Sequence, residues 1–124
     1  MCYNRKNGRF FCCQRGPGRA LANKWEFPGG KVKIDEIKEN ALIREIRAEL
    51  KSDIKIIKYL GVSNYRYEDL KDPFSISMYA YLCELVSGKL ELTEHISSLW
   101  ATVEEMYKMN FAEADIPIIN MLNN

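Results

Sequence analysis

The sequence has no long hydrophobic run, almost no net charge and a single histidine. No apolar stretch approaches the roughly 20 residues that a membrane-spanning helix needs. The opening residues, MCYNRKNGRF, carry no apolar core of the kind a secretory leader requires. Formal net charge is only +1, so bulk electrostatics favour neither a nucleic-acid polymer nor an anionic membrane, and an anionic ligand needs a local site. The four cysteines, Cys2, Cys12, Cys13 and Cys83, form no CxxC pair, and adjacent Cys12 and Cys13 on a strand point to opposite faces. They read as reduced thiols in a cytoplasmic protein rather than as a zinc site or a disulfide framework. His95 is the sole histidine and no GxSxG is present, which leaves acyl transfer by a serine triad without support.

What is present fits one domain. The 124 residues are 47% hydrophobic and 28% charged, a globular profile, and residues 1–124 read as a single unit without repeat or linker. Asn7-Gly8 is a turn signal before a short strand, Arg9 to Gln14. A loop follows to Asn23, broken by Gly16-Pro17-Gly18. Trp25-Glu26-Phe27 alternates apolar, polar and apolar, and Pro28-Gly29-Gly30 stops it. From Ile37 to Lys51 the period is helical, with Ile37, Ala41, Ile46 and Leu50 as the inner stripe and Leu42 and Ile43 at its margins. Ile54 to Tyr67 and Phe74 to Val86 read as long strands, with Gly61 a bend or bulge in the first. Leu99 to Ala101 is a short strand, Thr102 to Glu105 matches a capping box, and a last helix starts near Asp115 with Pro117 in its first turn. That order suggests a mixed sheet flanked by helices rather than a regular βαβ repeat.

Chemistry concentrates between Gly29 and Leu50. Glu45 and Glu49 are four apart, so a helix projects them from one face. Two carboxylates so placed repel unless a cation neutralises them, and hard divalent cations prefer such oxygen ligands. For an isolated ExxxE, a solvated helix with Glu/Arg and Glu/Lys pairs is the better reading. The whole stretch says more. Gly30, then Glu36, then Arg44-Glu45-Ile46 and Glu49 resembles the signature of the Nudix hydrolases. WEFPGGK (Trp25–Lys31), Glu94-His95 ahead of Trp100, and Ala114-Asp115-Ile116-Pro117 resemble its MutT-like branch of nucleotide-pool and CTP pyrophosphohydrolases. The likeness runs from about Gly8 to the C-terminus.

The resemblance implies an α/β/α sandwich around a mixed sheet. It implies Mg²⁺ or Mn²⁺ held by Glu45, Glu49, Glu94 and the carbonyl of Gly29, with Arg44 pairing Glu36 to orient the helix carboxylates. It implies hydrolysis of a nucleoside triphosphate to the monophosphate and pyrophosphate, and a small-molecule nucleotide as partner, in a monomer or homodimer. Arg15 resembles a substrate contact, though it also reads as a surface arginine. Phe27 resembles a ring that stacks on the base, though a core aromatic on a strand is as good a reading. Asp115 matches a position that bonds the base edge; ionised, it would accept only and suit an amino donor. It also reads as the N-cap of the last helix. Phe74 and Tyr79 are pocket candidates that read as core first.

Several positions depart from the signature. Ala48 stands where a second adjacent glutamate is expected, Lys51 where a helix-ending glycine is, Asp35 where a loop glycine is, and Lys33 where an acid is common. These departures motivate an alternative, a non-catalytic Nudix-like module that binds a nucleotide or a protein. The family also has a strand before the one at Arg9–Gln14, where only Met1 to Gly8 stand here. Either Cys2-Tyr3-Asn4 is the stub of that strand, or it is truncated and the sheet is left with an open edge.

Overall fold

A computed structural model of the chain describes residues 2–6 and 8–123. In chain order it contains β1 (Cys2–Lys6), β2 (Arg9–Gln14), β3 (Trp25–Glu26), α1 (Lys38–Leu50), β4 (Asp53–Tyr67), β5 (Phe74–Ser87), β6 (Ser97–Ala101), α2 (Val103–Met106) and α3 (Ile116–Leu122). A single 3₁₀ turn, Glu113–Asp115, leads into α3. The sheet runs β3-β2-β1-β5-β4, and β6 pairs with β2. It is mixed, because β1 runs parallel to β5 while β2–β3, β2–β6 and β4–β5 are antiparallel.

Of the two expectations for the first strand, the structure agrees with the one that places it at Cys2-Tyr3-Asn4. β1 is formed, and it lies inside the sheet between β2 and β5, so the open edge anticipated beside Arg9–Gln14 does not arise. Its register pairs Cys2 with Tyr81 and Asn4 with Cys83.

Alternation along β2 splits the core into two layers. Phe10 and Cys12 enter a cluster with Phe27, Met78, Phe111, Ile118 and Ile119. Phe11 and Cys13 face the other way, into a cluster with Leu42, Ile46, Leu50 and Tyr81. Helix α3 closes the first layer and α1 the second, which is the sandwich expected of a sheet with two apolar faces. The adjacent cysteines therefore do point apart, as strand geometry requires.

Helix α1 buries Ala41, Leu42, Ile46, Glu49 and Leu50. Two details differ from the expected stripe. Ile37 is 62% exposed, because it precedes the helix in extended conformation as its N-cap residue. Leu42 belongs to the inner face, not the margin. The helix ends on Lys51 in the left-handed region, at φ 49°. Asp35 likewise sits at φ 64°, a conformation that Asp tolerates better than most residues.

The β4–β5 register shifts at three places, one of them between Tyr59 and Gly61. A Cβ at Gly61 would approach Sδ of Met121 in α3 to 2.9 Å, so the bulge also makes room for that helix. The capping box at α2 is complete: Thr102 Oγ1 accepts from Glu105 N at 3.1 Å, and Thr102 N donates to the Glu105 carboxylate at 2.9 Å.

Candidate active site

A cavity of about 920 Å³ opens between α1, the β3–α1 loop, β5 and the loop before β6. Gly29, Gly30, Glu49 and Glu94 line it, and so do Arg15 and Asp115. Residues from five separate stretches of sequence are therefore brought to one space.

Glu49 is the most unusual of them. The helical period places it on the inner face of α1, where it is 7% exposed. Its Oε2 is buried without a hydrogen-bond partner. Burial raises its carboxyl to about 7, and the charges of Glu94, Glu45 and Glu26 push in the same direction against an opposing pull from His95. An unpaired buried carboxylate is costly, so the site stores a demand for a cation or a donor.

Glu45 sits one turn earlier. Its side chain lies directly over Gly30, where an added Cβ would fall 2.3 Å from the Glu45 carboxyl carbon. Arg44 holds it from the other side, donating from Nη1 to Glu45 Oε1 at 2.6 Å. The same guanidinium grips Glu36 with two bonds, at 2.8 and 2.9 Å, and donates to the Lys31 carbonyl at 3.0 Å. A bidentate pair of this kind is geometrically specific. The Arg44 bonds, with one from Lys33 N, hold the Glu36 carboxyl down at about 2. Arg44 thus ties the β3–α1 loop to the helix and fixes where Glu45 points.

No metal cage is ready-made: among the described residues, no three acidic, histidine or cysteine side chains converge closely enough to hold an ion. The donors nevertheless fit a divalent cation in kind. They are hard carboxylate oxygens around a glycine turn that admits close approach, and one of those oxygens is buried and unsatisfied. Ala48 is exposed, so the missing signature glutamate removes a charge from the rim rather than from the buried wall.

The other expected residues divide. Arg15 lines the cavity but is already anchored, donating to the Ala20 carbonyl at 2.9 Å and to Glu26 at 3.2 and 3.3 Å. The ring of Phe27 is fully buried and lies 5.2 Å from that of Phe111. Core packing is therefore the reading that its environment supports, rather than a ring offered to a base. Phe74 and Tyr79 do line the cavity, and Lys38 Nζ stands 4.5 Å over the Tyr79 ring.

Asp115 does not act as the side-chain cap expected of it. It precedes α3, but its side chain makes no capping bond. Its Oδ2 instead accepts from Phe27 N at 2.9 Å, tying the α3 start to β3. Burial also raises its carboxyl to about 8. That shift favours the protonated form, which can donate as well as accept, over the ionised acceptor expected.

Sequence reading missed the part played by Glu26 and His95. They stand 69 residues apart, yet His95 Nε2 meets Glu26 Oε2 at 2.9 Å. One signal was available. Phe27 faces the core, so its neighbour Glu26 must face the opposite way, onto the cavity wall.

Comparison with known proteins bears on this arrangement. The NUDIX domain family matches residues 1–122. The chain belongs to the Nudix hydrolase family. This Nudix domain is 32% identical over 114 residues to the CTP pyrophosphohydrolase of Escherichia coli, covering 92% of this chain and 82% of that protein. It is 39% identical over 89 residues to the 8-oxo-dGTP diphosphatase of Proteus vulgaris, covering 72% and 74%. In fold, it resembles the crystal structure of a MutT NUDIX hydrolase from Burkholderia pseudomallei, with a TM-score of 0.83 at 22% identity, over 97% of this chain and 92% of that one.

Proposed function

We propose that this Nudix hydrolase is a metal-dependent nucleoside triphosphate pyrophosphohydrolase, releasing pyrophosphate and a nucleoside monophosphate. The observation that carries this reading is the unsatisfied Glu49 carboxylate, buried in a cavity that Glu94, Gly29 and Gly30 also line. Glu49, Glu45, Glu94 and the Gly29 carbonyl are the groups that would hold Mg²⁺ or Mn²⁺. Such an ion, when bound, neutralises phosphate charge and lowers the pKa of an attacking water.

The chain's own residues do the rest. Arg44 orients Glu45 through the Glu36 pair. A carboxylate of the cluster accepts the proton of the attacking water. Arg15, set by Glu26, meets the charged part of the substrate. Asp115, on the same cavity wall, meets the base edge; protonated, it offers one donor and one acceptor. The relatives are named for CTP and for 8-oxo-dGTP, so cytosine and oxidised guanine nucleotides are the first substrates to try.

The test is pyrophosphate release with Mg²⁺ or Mn²⁺ across CTP, dCTP, 5-methyl-dCTP and 8-oxo-dGTP, beside Glu49→Gln. Turnover that the variant loses supports the enzyme. A second reading, a binding module without turnover, draws on Ala48 and on the lack of a ready cage among the described residues. Ligand-induced stabilisation with no pyrophosphate from any substrate would favour it.

A further inference from the structure

We propose that His95 is a nitrogen ligand of this metal site and that Glu26 prepares it for that role. The inference rests on the reading of the cavity as a divalent-cation site and adds a donor to it. The His95 side chain is 3% exposed and lines the same cavity as Glu49 and Glu94. Its Nε2 lies 2.9 Å from Glu26 Oε2. An ionised carboxylate only accepts, so Nε2 takes the hydrogen, and once the ring is neutral its lone pair falls to Nδ1. Nδ1 is buried and has no partner.

Among the described residues, Glu49 Oε2 is the one other buried side-chain polar atom left in that state. Both belong to residues lining one cavity, and with the ring neutral both offer a lone pair. Buried polar atoms are almost always satisfied, and a pair of acceptors is satisfied together by a cation. The ring also has the support that metal-binding histidines have. A carboxylate holds one nitrogen, which fixes the tautomer and raises the basicity of the other. Glu26 is itself held by Arg15, so this support is rigid.

The consequence is selectivity. Carboxylates alone suit Mg²⁺, whereas an imidazole nitrogen favours Mn²⁺, Co²⁺ and Zn²⁺ over it. His95 would add a buried donor to a site from whose rim Ala48 has removed a charge.

The test uses the whole chain, and its single histidine makes the signals unambiguous. Zn²⁺ and Mg²⁺ are titrated in turn into ¹⁵N-labelled protein at fixed pH, and the two ring nitrogens are followed by NMR. Zn²⁺ should move Nδ1 strongly and Nε2 little, with Mg²⁺ moving neither by a comparable amount. By calorimetry, His95→Gln should weaken Co²⁺ binding by about 10–100-fold and leave Mg²⁺ binding nearly unchanged. Ring nitrogens that hold their shifts while calorimetry shows Zn²⁺ saturating the protein would overturn the inference and leave the carboxylate site standing. A wild-type chain that binds none of these ions would overturn both. The NMR arm needs no variant, so it stands whether or not His95→Gln folds.

Discussion

Gly30 leaves the space that Glu45 fills. Any side chain there collides with the glutamate, since even a Cβ would lie 2.3 Å from its carboxyl carbon. Gly30→Ala should therefore displace Glu45 and lower pyrophosphate release by about tenfold or more, a typical cost of disturbing a ligand's support; unchanged turnover would show that Glu45's position is immaterial. Glu49 has the opposite character, costly to the fold and needed by the site. Glu49→Gln should abolish turnover yet stabilise the metal-free protein by about 1 kcal/mol, because it removes a buried charge with an unsatisfied oxygen. Urea unfolding in EDTA measures this, and a destabilised variant would count against it. Asp115 gives a pH dependence. Its carboxyl lies at about 8 in the fold, against an ordinary 3.8. Between those values the folded state keeps a proton that the unfolded chain has released, so this contribution to stability is complete below about pH 4 and is lost as pH rises towards 8. Asp115→Asn removes the titration while keeping an acceptor for Phe27 N. Its melting temperature should fall less than that of the wild type between pH 5 and pH 8; parallel profiles would rule the buried acid out as the cause.

At the scale of elements, local rules fix helix ends, and two ends here can be adjusted independently of the site. Lys51 terminates α1 at φ 49°, where a residue with a Cβ is strained by roughly 1 kcal/mol relative to glycine. Lys51→Gly should raise stability by about that amount, and Thr102→Ala, which removes the α2 capping box, should lower it by about 1 kcal/mol. Thermal unfolding reads both, with turnover unaffected. The same local rules explain what was legible in the sequence. The strand Arg9–Gln14, the bulge at Gly61 and the capping box at Thr102 each depend on neighbours within a few residues. Ile37 was misplaced because periodicity says which residues share a face but not where the helix begins. Asp115 looked like an N-cap because Asp often caps. Its side chain turns instead to Phe27 N, 88 residues earlier, a competition that local sequence does not show.

At the scale of the whole molecule, the site is assembled by the sheet, and this is why its chemistry was only half legible. Glu36, Arg44, Glu45 and Glu49 share one loop and helix, so their spacing was visible. The Glu26–His95 pair depends on β6 lying against β2 while β3 pairs with that same strand. The approach of Glu94 to α1 has a similar origin, since Thr93 Oγ1 donates to the Glu49 carbonyl at 2.6 Å. A bound ion joining Glu49 to Glu94 would cross-link α1 to the β5–β6 connection, elements otherwise held by packing and a few hydrogen bonds. Binding to the folded state alone adds RT ln(1 + [L]/Kd), about 2.7 kcal/mol at a hundredfold excess over Kd. Saturating Mn²⁺ should therefore raise the melting temperature by several degrees, given roughly 2–8 °C per kcal/mol for domains of this size range. EDTA should reverse the rise, and Glu49→Gln should lack it. A rise that survives in the variant would place the ion elsewhere on the surface, and the catalytic reading of the cavity would lose its principal support.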